Sequence, residues 1–469
     1  MAVNTSVLKI FAPAMRRQLI DGVGRKLDLL FNTKTPDTLT TYAKQIENLR
    51  EEQDQNREQL IGKVAYTWFN RLCALRFLDA KGWHPFSCKV LMPSEQGENQ
   101  PELLKLMRSG SLPTELKRFT NEQRLNNLLD NQIPTAQKGG DPQAEVYREL
   151  IMAACRSYHH LLPDLFEAID DETELLLPDD LLSEGSIVGN FRNKISDDEC
   201  ENVEIIGWLY QFYISEKKDK VIGKVVKNED IPAATQLFTP NWIVKYMVQN
   251  TVGAQWLATY PNSSLREQME FYIKPGEQTD EVKLKVAEII PKSLNPEELT
   301  LMDPACGSGH ILVEAYNIFR EIYLEKGYQK SEIPELILSK NLYGLDICPR
   351  AAQLSTFSLL MKGREDDRRL LFREIELNIY SIKSSNIINK EQLCKEFQSE
   401  FNSSYLESFI KLFANATTQG SLIKIPIHIK AKLAEFKKTF LNFKASLLTL
   451  KVKRHLELLI KQAEILSNK

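Results

Sequence analysis

Residues 299–323 constrain this chain more than any other stretch. Leu299-Thr300-Leu301-Met302 reads as a short apolar strand, Asp303 closes it, and Pro304 to Gly309 turns the chain. Ile311, Leu312, Ala315, Tyr316, Phe319, Ile322 and Tyr323 then recur at helical spacing. The order is strand, glycine turn, helix, with an acid at the strand's carboxyl end. Gly307 and Gly309 lack a Cβ, so the backbone can turn tightly and approach a ligand, at which the free N–H groups of the new helix point. In doubly wound folds such a turn, at the edge of a parallel sheet, binds nucleotide-like cofactors.

The residue types select among cofactors. A dinucleotide fingerprint of the form Gly-x-Gly-x-x-Gly needs a glycine where Leu312 stands. Asp303 repels a pyrophosphate and suits a ligand carrying an ammonium group. S-adenosylmethionine, with an ammonium, a sulfonium and a ribose, fits better than NAD; a glycine turn with a helix-capping acid and no ligand is the plainer alternative. Asn341 to Ile347 reads as a second strand ending in Asp346, followed by a helix from Pro349 to Met361. Asp346 stands where a doubly wound fold places the carboxylate for ribose hydroxyls, although later than the ~20 residues of a compact dinucleotide unit. A strand-end turn former is the alternative for Asp346. A third strand is expected at Asn378–Ile382, and the following Lys383-Ser384-Ser385-Asn386 is in a position to touch an adenine ring.

The rest of the chain frames this centre. Residues 1 to about 170 read as helical, with periodic apolar positions over Phe11–Phe31, a dense aromatic helix over Tyr66–Leu78 and an amphipathic helix over Glu145–Phe166. Cys155, His159 and His160 are expected on that last helix as core or rim residues rather than as a metal site. Glu204–Ile214 is a further helix, and Glu216-Lys217-Lys218-Asp219-Lys220 reads as a charged link. Before Trp242, Thr239 is expected as an N-cap and Pro240 as the first helical residue, with the threonine hydroxyl available to a carboxylate. From Glu391 to Lys469 the chain reads as helical and lysine-rich.

The net charge of −3 gives no sign of nucleic-acid binding, so a DNA-binding face would have to be local. Seven scattered cysteines without a Cys-x-x-Cys pair argue against a zinc ribbon and for a reducing cytoplasm. The start lacks signal-peptide character, and a cytoplasmic protein is expected.

With these residues in hand, the chain resembles the adenine-specific DNA methyltransferases of the gamma order, and among them the methyltransferases of BREX phage-defence systems. The resemblance rests on Ile206 to Lys218, Ala233 to Val248, Met302 to Tyr316 and Asn341 to Met361, and extends to Phe11-Ala12-Pro13 and Ala65–Phe77. It implies an α/β fold: a helical N-terminal domain over 1–190, the cofactor half of a Rossmann-like S-adenosylmethionine-dependent domain over 200–390, and a helical insert or extension over 391–469. It implies that Thr239 and Pro240 close over the methionine part of the cofactor and that Asp303, Ala305, Cys306, Gly307 and Gly309 form its main loop. Asp346 then takes the ribose, and Ile347 lies against the adenine. It also implies double-stranded DNA as substrate and other BREX proteins as partners.

One departure stands out. The family's catalytic Asn-Pro-Pro-Tyr is absent, the only Asn-Pro being Asn295-Pro296, followed by Glu297. The chain therefore reads as the front of a longer enzyme, inactive alone, and no catalytic residue is assigned. Two rivals come from other classes. One is a non-catalytic cofactor-binding scaffold. The other is a single-chain restriction enzyme, for which Pro178-Asp179 and Glu216-Lys217-Lys218 loosely fit a Mg²⁺-binding pattern. Cys306 is expected as a packed residue of the turn, not a nucleophile.

Overall fold

The computed structural model describes residues 5–467 apart from 33–41, 96, 138, 164, 167–171, 228–229, 387, 398–401 and 443–449. The chain divides into two compact units, Met1–Asp219 and Lys220–Lys469. Among the described residues no helix is long and apolar enough to cross a membrane.

The first unit is helical. Helix α1 (Thr5–Asn32) packs along α2 (Ala43–Lys81), burying Leu8, Leu19, Val23 and Leu27 against a core that includes Trp68 and Phe69. Helix α2 breaks at Asn56, whose Oδ1 accepts the Gln59 N–H at 3.0 Å and starts the second piece. Gly82 ends it at φ 62°, a left-handed conformation in which glycine carries no Cβ penalty. Close to that end, the buried Asp79 accepts the N–H groups of Val90, Leu91 and Met92 at 2.6–3.0 Å. It also meets His84 Nε2 at 2.7 Å, and the ring's other nitrogen meets the Tyr158 hydroxyl at 2.6 Å. One carboxylate thus pins the whole 84–92 loop, whose backbone donors would otherwise be buried without partners.

Two expectations are corrected here. The helix expected over Glu145–Phe166 is α3 (Pro142–Ser157), capped by Asp141 through Gln143 N–H at 2.9 Å. Beyond Ser157 the chain turns, so His159 and His160 do not share a helix with Cys155. Residues Glu216–Lys220, where the two units meet in the chain, are helical and lie inside α4 (Glu204–Val221), consistent with the high helix propensity of Glu and Lys. Glu216 pairs there with Arg17, and Asp179 pairs with Lys26. Among the described residues there is no group of three or more His, Cys, Asp or Glu placed to hold a metal.

The second unit contains a three-stranded parallel sheet: β1 (Leu301–Asp303), β2 (Leu342–Asp346) and β3 (Asn378–Ser381), in that spatial order. In register, Asp303 lies opposite Gly344 and Asp346 opposite Ser381, so the acids end adjacent strands. Each strand is short, and helices α6 (His310–Glu325) and α7 (Pro349–Arg364) supply the crossovers that parallel pairing requires. Alternation along the strands separates the two faces. On the face carrying Gly344 and Ile379, the sheet packs against α6 and α7. On the other, Met302, Tyr343, Leu345 and Tyr380 join a core with Tyr405, Phe409, Phe436 and Leu459. Those partners come from α9 (Ser403–Leu412), α10 (Ile427–Asn442) and α11 (Leu450–Ser467), which follow the short α8 (Lys390–Phe397). The lysine-rich C-terminal segment is therefore an integral layer over the sheet. Helix α5 (Asn241–Val248) precedes the sheet and packs along α6.

Candidate functional site

The site is built where β1 and β2 end. Asp303 is the last residue of β1 and its Oδ1 accepts the Ala305 N–H at 3.1 Å. The turn then crosses to β2: the Cys306 N–H donates to the Leu345 carbonyl at 2.9 Å, and the Gly307 N–H to Asp346 Oδ2 at 2.8 Å. The other Asp346 oxygen accepts the Cys348 N–H at 2.7 Å. Asp346 is thus a strap between the glycine turn and the start of α7. Each of its oxygens uses one acceptor site on the backbone and keeps capacity for another donor.

The two glycines of the turn serve different ends. Gly309, at φ 89°, lies against α7; a Cβ there would sit 2.6 Å from Ser355 Oγ and 3.1 Å from Ser355 Cα. Gly307, at φ 53°, has open space on its Cβ side, with nothing within 4 Å. The first permits close helix packing and the second leaves the turn's outer surface bare.

Charge accumulates at the same place. Asp303 is 8% exposed. Burial pushes its carboxyl up to about 6, the Ala305 N–H opposes the rise, and the negative charge of Asp346 adds to it. Asp346 is raised as well, by burial against the pull of the Cys348 and Gly307 N–H groups. Two neighbouring carboxylates, both short of water, favour a cationic ligand that restores their charge. Cys306 is buried, and burial followed by the charges of Asp346 and Asp303 keeps its thiol protonated, which removes it as a nucleophile.

The remaining expected residues fall around this turn. Pro240, at φ −54° and ψ 140°, occupies the N-cap position of α5, and Thr239 lies one residue outside. This corrects the expected Thr239 cap; a residue preceding proline is held extended by the proline ring. The segment still reaches the turn, because the Phe238 ring meets the His310 ring edge-on at 4.2 Å. His310, the first residue of α6, is pushed down to about 4 by burial and is neutral at pH 7. Ile347 follows Asp346, half-buried, with Gly420 packed on it.

Several of these contacts are not apparent in the sequence. His310, Ser355 and Gly420 carry no local signal, whereas Gly344, a glycine inside a strand, does mark a close approach: a Cβ there would crowd Ile379, Leu312 and Cys306. After β3, Ser385 donates through its hydroxyl to the Ile410 carbonyl at 2.6 Å and through its N–H to Phe413 at 3.1 Å. Gln462 accepts the Lys383 N–H at 2.7 Å. The segment after β3 is therefore fastened into the C-terminal helices, with Asn386 exposed. Asn295 is accounted for as a cap, accepting the Glu297 N–H at 3.2 Å.

Comparison with known proteins places this geometry in context. Residues 281–377 match the N-6 DNA methylase family. Over 92% of its length the chain is 41% identical to the adenine-specific methyltransferase BrxX of Escherichia coli O9:H4 (strain HS), of which it covers 39%. Over 90% it is 31% identical to the adenine-specific methyltransferase PglX of Lacticaseibacillus casei (strain Zhang), covering 38% of that relative. The chain spans about two fifths of the length of both curated relatives. The similarity to both adenine-specific methyltransferases runs over nine tenths of the chain, and the segment that matches the N-6 DNA methylase family contains β1, the glycine turn and β2.

Proposed function

We propose that this chain forms the S-adenosylmethionine-binding part of a DNA adenine-N6 methyltransferase of BREX-type phage defence, built on a Rossmann-like, doubly wound core around β1–β3. The observation that carries the reading is the pair of carboxylates, buried Asp303 and half-buried Asp346, at the ends of adjacent parallel strands, with the bare Gly307 strapped to one of them. A pyrophosphate would meet two like charges there, whereas an ammonium or sulfonium meets opposite ones.

The residues fit the cofactor in kind. Asp303 suits the ammonium, Asp346 retains acceptor capacity for ribose hydroxyls, and Ile347 offers an apolar side chain to the adenine. Ala305, Cys306, Gly307 and Gly309 form the loop beside it, and Thr239 with Pro240 borders the methionine part. When bound, the cofactor supplies an electrophilic methyl group on its sulfonium. This chain's residues bind and orient that group, with no covalent nucleophile. Adenine N6 in double-stranded host DNA is the acceptor we assign, with the base flipped from the stack, and other BREX proteins are the assigned partners. The match to the N-6 DNA methylase family and the relatives named adenine-specific methyltransferases support the acceptor, whereas the BREX partners follow from the family resemblance alone.

Calorimetric titration with S-adenosylmethionine tests the site. Asp346→Ala is expected to weaken binding roughly tenfold or more, the scale of a lost charge-assisted hydrogen bond. Equal affinity in both proteins would overturn the assignment of Asp346.

A further inference from the structure

The turn Gly420–Leu422, between α9 and α10, contacts the central strand β2, with Gly420 against Ile347, the residue that follows the strand. Gly420 adopts φ 56° and ψ −137°, a backbone region that is essentially closed to residues with a side chain. A Cβ built on it would lie 2.8 Å from Ile347 Cγ2, closer than real carbon atoms approach. Gly420 is buried, Ile423 is 5% exposed, and the intervening Leu422 stands 79% exposed beside the same strand end. Two independent constraints therefore hold a glycine at 420: the backbone angles and the seat against Ile347.

Resting on the reading of Asp346 as the ribose carboxylate, we propose that Gly420 is a positioning residue for the cofactor's adenine, acting through Ile347. A nucleoside whose ribose hydroxyls engage Asp346 carries its base within one residue's reach of the carboxylate, and Ile347 is the apolar side chain there. Isoleucine is branched at Cβ and has few rotamers, so a neighbour touching Cγ2 decides which one it keeps. Gly420, by carrying no Cβ, leaves Cγ2 its place, and the C-terminal core packs against the rest of the side chain. The C-terminal helical layer thus supplies a wall of the base pocket as well as the core on that face of the sheet. An apolar wall fixed from behind favours a flat, uncharged ring over a phosphate or a second carboxylate.

The test is a double-mutant cycle read by S-adenosylmethionine affinity, with melting temperature followed for each protein. Gly420→Ala is expected to weaken binding about tenfold in the Ile347 protein and less than threefold when Ile347→Ala has already removed the contact. Equal losses in both backgrounds, or no loss in either, would overturn the role of Gly420. Failure of the unaltered protein to bind S-adenosylmethionine would instead overturn the reading of the whole site. Hydrogen exchange on the unaltered protein needs no variant: amides of residues 419–423 are expected to slow when S-adenosylmethionine is added. Unchanged exchange there, with protection appearing at Gly307 and Cys348, would also sink the proposal.

Discussion

Asp303 holds a proton up to about pH 6 because burial disfavours its charge. The unfolded chain gives up the same proton near pH 3.9. Between those values the folded state binds more protons, so stability from this group falls as pH rises from about 4 to about 6, by roughly 3 kcal/mol in all. A cationic ligand has the opposite preference, because it engages the ionised carboxylate. Affinity for S-adenosylmethionine is therefore expected to be flat above about pH 6.5 and to decline below pH 6, approaching tenfold per unit. Asp303→Asn should bind weakly with no such slope. A level calorimetric profile from pH 5 to 7.5 in the unaltered protein would exclude this role. At this scale the sequence was informative where the chemistry is local: strand-end acids and paired glycines announce themselves within a few residues. The strap from Gly307 to Asp346 and the seat of Gly420 on Ile347 join residues distant along the chain, and no spacing rule links them.

The elements were legible in kind, less so at their ends. Periodicity located β1, β2, β3, α6 and α7, because apolar runs bounded by acids, glycines and proline leave few choices. It misjudged α3 and α4 where charged or aromatic residues continued past the apolar pattern, and tertiary partners such as Arg17 for Glu216 fixed the outcome. The approach of α6 to α7 is the most exacting element contact at the site. Gly309→Ala must adopt φ 89° and find room against the Ser355 backbone, and is expected to cost roughly 2–4 kcal/mol of stability. Urea unfolding would show it as a lower midpoint with an unchanged slope. Gly307→Ala has space for its methyl group and should cost less, which separates backbone strain from crowding.

The whole chain divides into a helical unit and a unit holding the sheet. No Asn-Pro-Pro-Tyr occurs anywhere in its sequence. We expect purified 1–469 to bind S-adenosylmethionine yet transfer no methyl group to duplex DNA; tritium incorporation above background would refute this. The order β1–β2–β3 has one more consequence. Each strand lies beside the one synthesised just before it, so a chain leaving the ribosome can extend its sheet outward without opening a finished pair. The glycine turn is made early, but its clamp, Asp346, arrives with the second strand, and the seat for Ile347 only with Gly420. The site proposed here is thus completed in the sequence of translation, and the last piece to arrive is Gly420, which seats Ile347 from behind.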